Sequence, residues 1–246
     1  MNILVCISKS PDTTSKIAFV QDNKLFDETG VQYIVNPYDE WYALVRALEL
    51  KESLGGQVTI ITVGLANDEA IMRKALAIGA DEAIRINAEA KDAYFTACQI
   101  GNYAKEKGFD LILTGKETIN FNGSQVGGMI SEVLDLPFLS LASKLTVDGQ
   151  TVHVEREIAG GIQVVECHLP LVISCAKGMA EPRIPNMRGI MAARTKPLQI
   201  IEPINIEELT SYVSFVTPTT KATVKIIDSA NMDELVRLLH SEAKVI

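Results

Sequence analysis

Residues 109–128, FDLILTGKETINFNGSQVGG, open with an apolar run that stops at Gly115 and end on paired glycines. FDLILTG (109–115) has the length and apolar character of a buried strand, and Ser124 is placed to cap a helix over 125–135. A strand that leads through a polar loop into a helix is the building unit of an α/β sheet. The loop itself admits two readings. It is either a plain connector or an anion site, in which the free N–H groups and positive dipole end of the helix hold a phosphate. Gly123, Gly127 and Gly128 would let that phosphate approach the backbone closely. The stretch is not GxxxxGK[ST], because Gly115-Lys116 opens the loop rather than closing it, and it is not GxGxxG. Taken alone, it leaves both readings open.

The same unit recurs on the N-terminal side. Residues 2–8 (NILVCIS) form an apolar strand, and 38–54 carry Trp41, Leu44, Val45 and Leu48 at helical spacing with Asp39 and Glu40 in the first turn. QVTIITVG (57–64) is a second buried strand. A helix capped by Asn67 and stopped by Gly79 follows, then a strand over 83–87 and a helix over 91–107. Repeated strand–helix–strand units with continuous apolar strands imply an α/β fold, a parallel sheet flanked by helices on both faces. Such a sheet has a crevice at the carboxyl ends of its strands. Cys6, Val63-Gly64, the helix-opening turn Asn36-Pro37 and the loop after Thr114 all converge there. Asn36-Pro37, just before the 38–54 helix, suits a turn that leads into proline at the helix start.

From 138 the pattern changes to LSLASKLTV, TVHVEREI and IQVVECHL, an antiparallel hairpin region with a VDGQ turn and a Gly160-Gly161 turn. A strand LVISCA follows. Residues 177–197 are rich in proline and arginine, and 198–246 read as an extension with one helix over 232–241. The chain therefore divides into an α/β domain over 1–196, with an irregular loop at about 177–196, and a C-terminal arm over 197–246.

Composition removes whole classes of function. With 246 residues, 47% hydrophobic, the chain can bury a substantial core. A formal net charge of −8 opposes sequence-independent nucleic-acid binding, so no nucleic-acid partner is expected. Apolar runs are too short for a membrane span, and MNILVCISKS reads as a strand rather than a signal peptide. Cys6, Cys98, Cys167 and Cys175 lack CxxC spacing, which fits a reducing cytoplasm, and three histidines give no metal motif. No GxSxG elbow is present, Cys167 and His168 project to opposite sides of a strand, and Glu155 and Glu157 belong to a solvated ladder. No catalytic residue is expected, and the bare reading is a nucleotide-binding module.

Six stretches together carry a resemblance to a known family. ILVCISKSPDT (3–13), VNPYDEWYALVRALELKE (35–52), RKALAIGADEAIRI (73–86), LILTGKETINFNGSQVGGM (111–129), VEREIAGG (154–161) and EPRIPNMRGIMAARTKPL (181–198) occur in order over residues 1–200. The chain resembles the beta subunit of electron-transfer flavoproteins. The resemblance implies a Rossmann-like domain, similar to the adenine-nucleotide alpha hydrolases, in a heterodimer with an alpha subunit that holds FAD. The assembly would carry electrons from dehydrogenases, acyl-CoA dehydrogenases among them, to a downstream acceptor such as the quinone pool. It is a carrier rather than a classical enzyme unless it bifurcates electrons and oxidises NADH.

The resemblance also implies binding residues. AMP would lie across the strand ends, touched by Cys6, by Asn36, Pro37, Tyr38 and Asp39, and by Val63. It would also meet the loop of Gly115, Lys116, Glu117, Thr118, Ile119 and Asn120, which continues through Phe121, Asn122, Gly123, Ser124, Gln125 and Val126. In the bifurcating branch a second FAD occupies the same place. Glu181, Pro182 and Arg183, with Met187 at the position of an apolar anchor, would recognise partner dehydrogenases. The arm after 196 would wrap around the alpha subunit. Two departures stand out. The family's AIDxD is here Thr118-Ile119-Asn120-Phe121-Asn122, and a threonine common in AMP-binding members is Val126. AMP and FAD therefore stay open. An adenylate-forming or ATP-pyrophosphatase enzyme would need a glycine–serine loop after the first strand, which CISKSPDT lacks.

Overall fold

In β1 (Asn2–Cys6), Ile3 and Val5 pack into one hydrophobic cluster while Leu4 and Cys6 pack into another. Successive strand residues face opposite sides of a sheet, so a strand covered on both faces has to be apolar throughout. The computed structural model describes residues 1–221 and 223–246. After β1 come β2 (Lys9–Pro11), a two-rung hairpin of β3 (Phe19–Val20) and β4 (Leu25–Phe26), and β5 (Tyr33–Val35), which runs antiparallel to β2. The α/β core continues with α1 (Asp39–Leu54), β6 (Gln57–Gly64), α2 (Glu69–Ile78), β7 (Glu82–Asn87), α3 (Ala93–Ala104), β8 (Leu111–Gly115) and α4 (Val126–Leu134). Then follow β9 (Phe138–Asp148), β10 (Thr151–Ile158), β11 (Gly161–His168), β12 (Leu171–Cys175), α5 (Met187–Ala193), β13 (Leu198–Ile201) and α6 (Met232–Leu238).

The nine-stranded sheet has the order β11-β10-β9-β12-β8-β1-β6-β7-β13. From β9 to β13 every neighbouring pair is parallel, and β10 and β11 add antiparallel at one edge. The α/β expectation holds, and the hairpin region is continuous with the parallel sheet because β9 lies alongside β12. Leu44, Leu48, Met72 and Leu76 place α1 and α2 against one face, and Phe95, Ile100 and Ile130 place α3 and α4 against the other. Among the described residues no helix is long and apolar enough to cross a membrane.

Three local expectations give way to tertiary contacts. Asn67 does not cap α2. A turn of 3-10 helix, Ala66–Asp68, precedes it, and the Asp68 carboxylate accepts the Leu65 N–H at 3.1 Å. Residues 187–193 form a helix within the proline-rich loop, capped by Asn186, whose side chain accepts the Gly189 N–H at 2.8 Å. Residues 198–201 are not free extension but the edge strand β13, paired along β7 from Leu198 opposite Ala83 to Ile201 opposite Ile86.

The carboxyl end of α2 anchors this returning chain. The Lys196 ammonium donates to the Leu76 and Ala80 carbonyls at 2.9 and 2.5 Å, and Arg73 donates to the Ala193 and Lys196 carbonyls, each at 2.8 Å. A lysine there meets both the unpaired carbonyls and the negative end of the helix dipole.

Candidate functional site

Parallel pairing fixes where the strands end. β1 lies between β8 and β6, with Val5 opposite Leu113 and Cys6 opposite Ile61, so Cys6, Val63-Gly64 and Thr114-Gly115 reach the same sheet edge. Asn36 joins this edge from the other side. It is fully buried; its backbone N–H donates to the Ser8 carbonyl at 3.0 Å, and its side-chain oxygen accepts the Ile119 N–H at 3.3 Å. Its amide nitrogen donates to the Asn120 side chain at 3.4 Å. One buried amide therefore ties the turn before α1 to the loop after β8. Pro37 is not the first helical residue. Tyr38 intervenes at the cap with φ 67°, its exposed ring beside Tyr42, and Asp39 begins the helix.

Gly115 is needed by this convergence. A Cβ on it would lie 2.8 Å from the Glu40 Cγ, 3.1 Å from the Glu40 nitrogen and 3.2 Å from the Asp39 Cβ. The start of α1 rests on the end of β8 at a distance that only glycine permits. Glu40 is buried under the crevice; its carboxylate accepts the Ser8 N–H at 2.6 Å and the Ser8 hydroxyl at 2.9 Å. Burial pushes its pKa up to about 8 against those two hydrogen bonds, with Asp39 adding repulsion. Burial also raises Asp39, and burial followed by the nearby Glu40 charge raises the Cys6 thiol.

At the rim, Lys116 pairs with Glu117 at 2.9 Å, and that hydrogen bond raises the lysine and lowers the carboxylate. The Lys116 N–H is held by the Cys175 carbonyl at 2.8 Å. Thr118 accepts the Asn122 N–H on its carbonyl, closing the exposed tip that carries Phe121.

Ser124 is not the helix cap. It sits at φ 51° with its hydroxyl donating to Glu117 at 3.3 Å, and Gln125 holds the cap position with no side-chain hydrogen bond. The first turn of α4 is thus left with no side-chain cap. Just beneath it lies the Thr114 hydroxyl, buried and without a partner, 2.8 Å from where a Gly127 Cβ would be. Gly127 and Gly128 therefore serve packing, since the Phe138 ring lies 3.0 and 3.5 Å from their absent Cβ atoms. Gly123 has open space around it, and Val126 is turned into the cluster under α4. The start of α4 thus keeps backbone N–H groups without a side-chain partner, and Gly123 leaves the approach to them open.

Glu181, Pro182, Arg183 and Met187 are not part of this crevice. Arg183 forms a fork-like pair with Glu52 at 2.6 and 3.1 Å, at the far end of α1. Gly189 of α5 lies so close to the end of α2 that a Cβ would come 2.3 Å from the Ala77 carbonyl. Both contacts are at the amino ends of the strands, opposite the crevice. There Met187 and Ile184 are exposed, with 73% and 85% of their surface accessible. Among the described residues no cluster of histidine, cysteine or carboxylate could hold a metal. Ser8, Glu40 and Thr114 were not among the expected site residues. Glu40 had a visible signal as a helix-start acid, but nothing in the sequence shows its burial.

The geometry can be set beside known proteins. A family model described as the electron transfer flavoprotein domain matches residues 24–205. The electron transfer flavoprotein subunit beta of Bacillus subtilis is 36% identical, with all of both chains covered. The human protein of the same name is 32% identical, with 92% of each chain covered. The acryloyl-CoA reductase electron transfer subunit gamma of Anaerotignum propionicum is 32% identical over 82% of this chain and 78% of its own.

Proposed function

The chain belongs to the electron transfer flavoprotein family as a beta subunit, and from that premise we propose that its crevice binds AMP as a structural nucleotide. The observation that carries this is the uncapped start of α4 at the crevice edge. A nucleotide phosphate would satisfy its free N–H groups, with the Gly123 backbone open to it. Asn36 would hold the loop around the bound group through its bonds to Ile119 and Asn120. Cys6 and Val63, at the strand ends, would line the floor, and Tyr38 and Asp39, at the start of α1, the near wall. AMP there would be structural and supply no electrons, and this chain's residues would contribute its binding and the ordering of the loop.

In the same reading the chain pairs with an alpha subunit that carries FAD, in the cytoplasm, and passes electrons from dehydrogenases to a downstream acceptor. The free thiols Cys6, Cys98, Cys167 and Cys175 suit that compartment. Glu181, Pro182, Arg183 and Met187 form the dehydrogenase contact. Its apolar tip is supported by the exposure of Ile184 and Met187 beside the Arg183–Glu52 pair.

A second reading rests on Val126, which offers no hydroxyl to a phosphate. Val126 favours the bifurcating form, in which a flavin in this subunit would supply a redox-active ring fed by NADH, whereas Asn120 and Asn122 replace acids that the resemblance implies for both branches and do not discriminate. Denaturing the purified complex and weighing the released nucleotide decides between them. AMP with one flavin per heterodimer supports the first reading, and two flavins without AMP support the second. Release of no nucleotide from the beta subunit sinks both.

A further inference from the structure

After β13 the chain stays on the domain as far as Phe215. Gln99, buried on α3, holds it first: its amide nitrogen donates to the Ile204 carbonyl at 2.8 Å and its oxygen accepts the Ile204 N–H at 2.9 Å. Lys91 pairs with Glu208 at 2.7 Å, and the Asp92 carboxylate accepts the Leu209 and Thr210 N–H groups at 2.7 and 2.9 Å. Beyond these anchors the side chains of Tyr212 and Phe215 complete a row of five aromatic rings. Ring centroids are 6.0 Å apart for Phe121 and Tyr212, 5.4 Å for Tyr212 and Phe215, 4.6 Å for Phe215 and Phe19, and 6.1 Å for Phe19 and Phe26. The Phe215 N–H also donates to the Asn23 carbonyl at 2.7 Å.

The row has a loop of the crevice at one end and the β3–β4 hairpin at the other. On its inner side the 116–124 loop is held by Asn36 and by the Cys175 carbonyl. On its outer side Phe121 stacks on Tyr212, a residue 91 positions further along the chain. A loop fixed on two sides has lost conformational freedom that a ligand would otherwise have to remove on binding.

We propose that residues 202–216 are a strap in which Tyr212, acting through Phe121, is a positioning residue for the crevice loop. Seating of the arm and filling of the crevice are then coupled. Coupling of this kind is reciprocal: whatever fills the crevice tightens the strap by the factor with which the strap tightens its binding. The identity of the ligand rests on the AMP reading above; the strap itself does not.

Hydrogen exchange on the full chain, with and without saturating AMP, tests it in the wild type, Tyr212→Ser and Tyr212→Phe. Tyr212→Ser is expected to speed exchange of the 117–124 amides about three- to tenfold, the factor carried by one aromatic pair, and to weaken AMP binding similarly. Tyr212→Phe keeps the ring and should match the wild type. AMP should slow exchange at Leu209, Thr210 and Phe215. Strand β6 is the internal control that the variants are folded. Unchanged 117–124 exchange in Tyr212→Ser, or equal damage from Tyr212→Phe, overturns the strap. A loosened loop in a chain that binds no AMP leaves the strap standing and removes the nucleotide reading instead.

Discussion

At Gly115 one methyl group decides how closely α1 approaches the end of β8. Its absent Cβ would contact the backbone nitrogen of Glu40 as well as a side chain, so the helix start itself would have to move. Gly115→Ala should cost about 1–3 kcal/mol, the usual penalty for overpacking a tight contact, and weaken AMP binding; urea unfolding and calorimetric titration read the two effects. Glu40 makes a different prediction. Burial raises its carboxyl from 4.5 to about 8. Folding therefore takes up a proton over that interval, and the stabilisation is complete below about 4.5 and lost as pH climbs through about 8. Carboxylates such as Asp12, Asp27 and Glu52, lowered by hydrogen bonds, act in the opposite sense on the acid side. Asp39, raised by burial, shares the direction of Glu40. Unfolding free energy measured from pH 5 to 8 should fall in the wild type and flatten in Glu40→Gln. An unchanged slope in the variant would remove Glu40 as its cause.

Among elements, α3 and α5 carry the contacts that hold the chain's second half. Asp92 caps α3 by accepting the Phe95 N–H at 2.7 Å while also holding Leu209 and Thr210. Asp92→Ala should cost about 1 kcal/mol as a lost cap and make the segment after 204 the first to be cut in limited proteolysis. Gly189→Val sets a branched side chain against the Ala77 carbonyl and should lift α5 from α2. Proteolysis within 183–197 would then accelerate while AMP affinity stays at the wild-type value, since the crevice lies at the other edge of the sheet. A parallel loss of affinity would show that the two edges communicate.

For the molecule as a whole, a ligand that binds only the folded chain stabilises it by mass action. AMP at a hundred times its dissociation constant should add about 2.7 kcal/mol to unfolding, seen as a rise in Tm that grows with AMP concentration. A Tm independent of AMP would remove the nucleotide site.

The strands β1 and β6 to β12, the α1–α4 helices and the converging crevice were legible in the sequence, whereas the short β2 to β5 were not. Apolar period, helix breaks and strand–helix alternation are local signals, and parallel pairing forces the strand ends to one edge. Gly115, Asn36 and Asn120 were likewise visible as residues of that edge. Other features depended on partners distant in the chain. Ser124 lost its cap role to a turn toward Glu117, and Gly127 packs closely on Thr114 and Phe138. LQII at 198–201 is too short to announce itself as a strand until β7 offers an open edge. Burial of Glu40 and the stack of Tyr212 on Phe121 join positions 32 or more residues apart. The α/β framework, the position of its crevice and the family follow from the order of residues alone, because periodicity and motif order are written locally. Which polar groups stay unpaired and which rings meet is set by folding, because both depend on what the folded chain brings within a few ångströms.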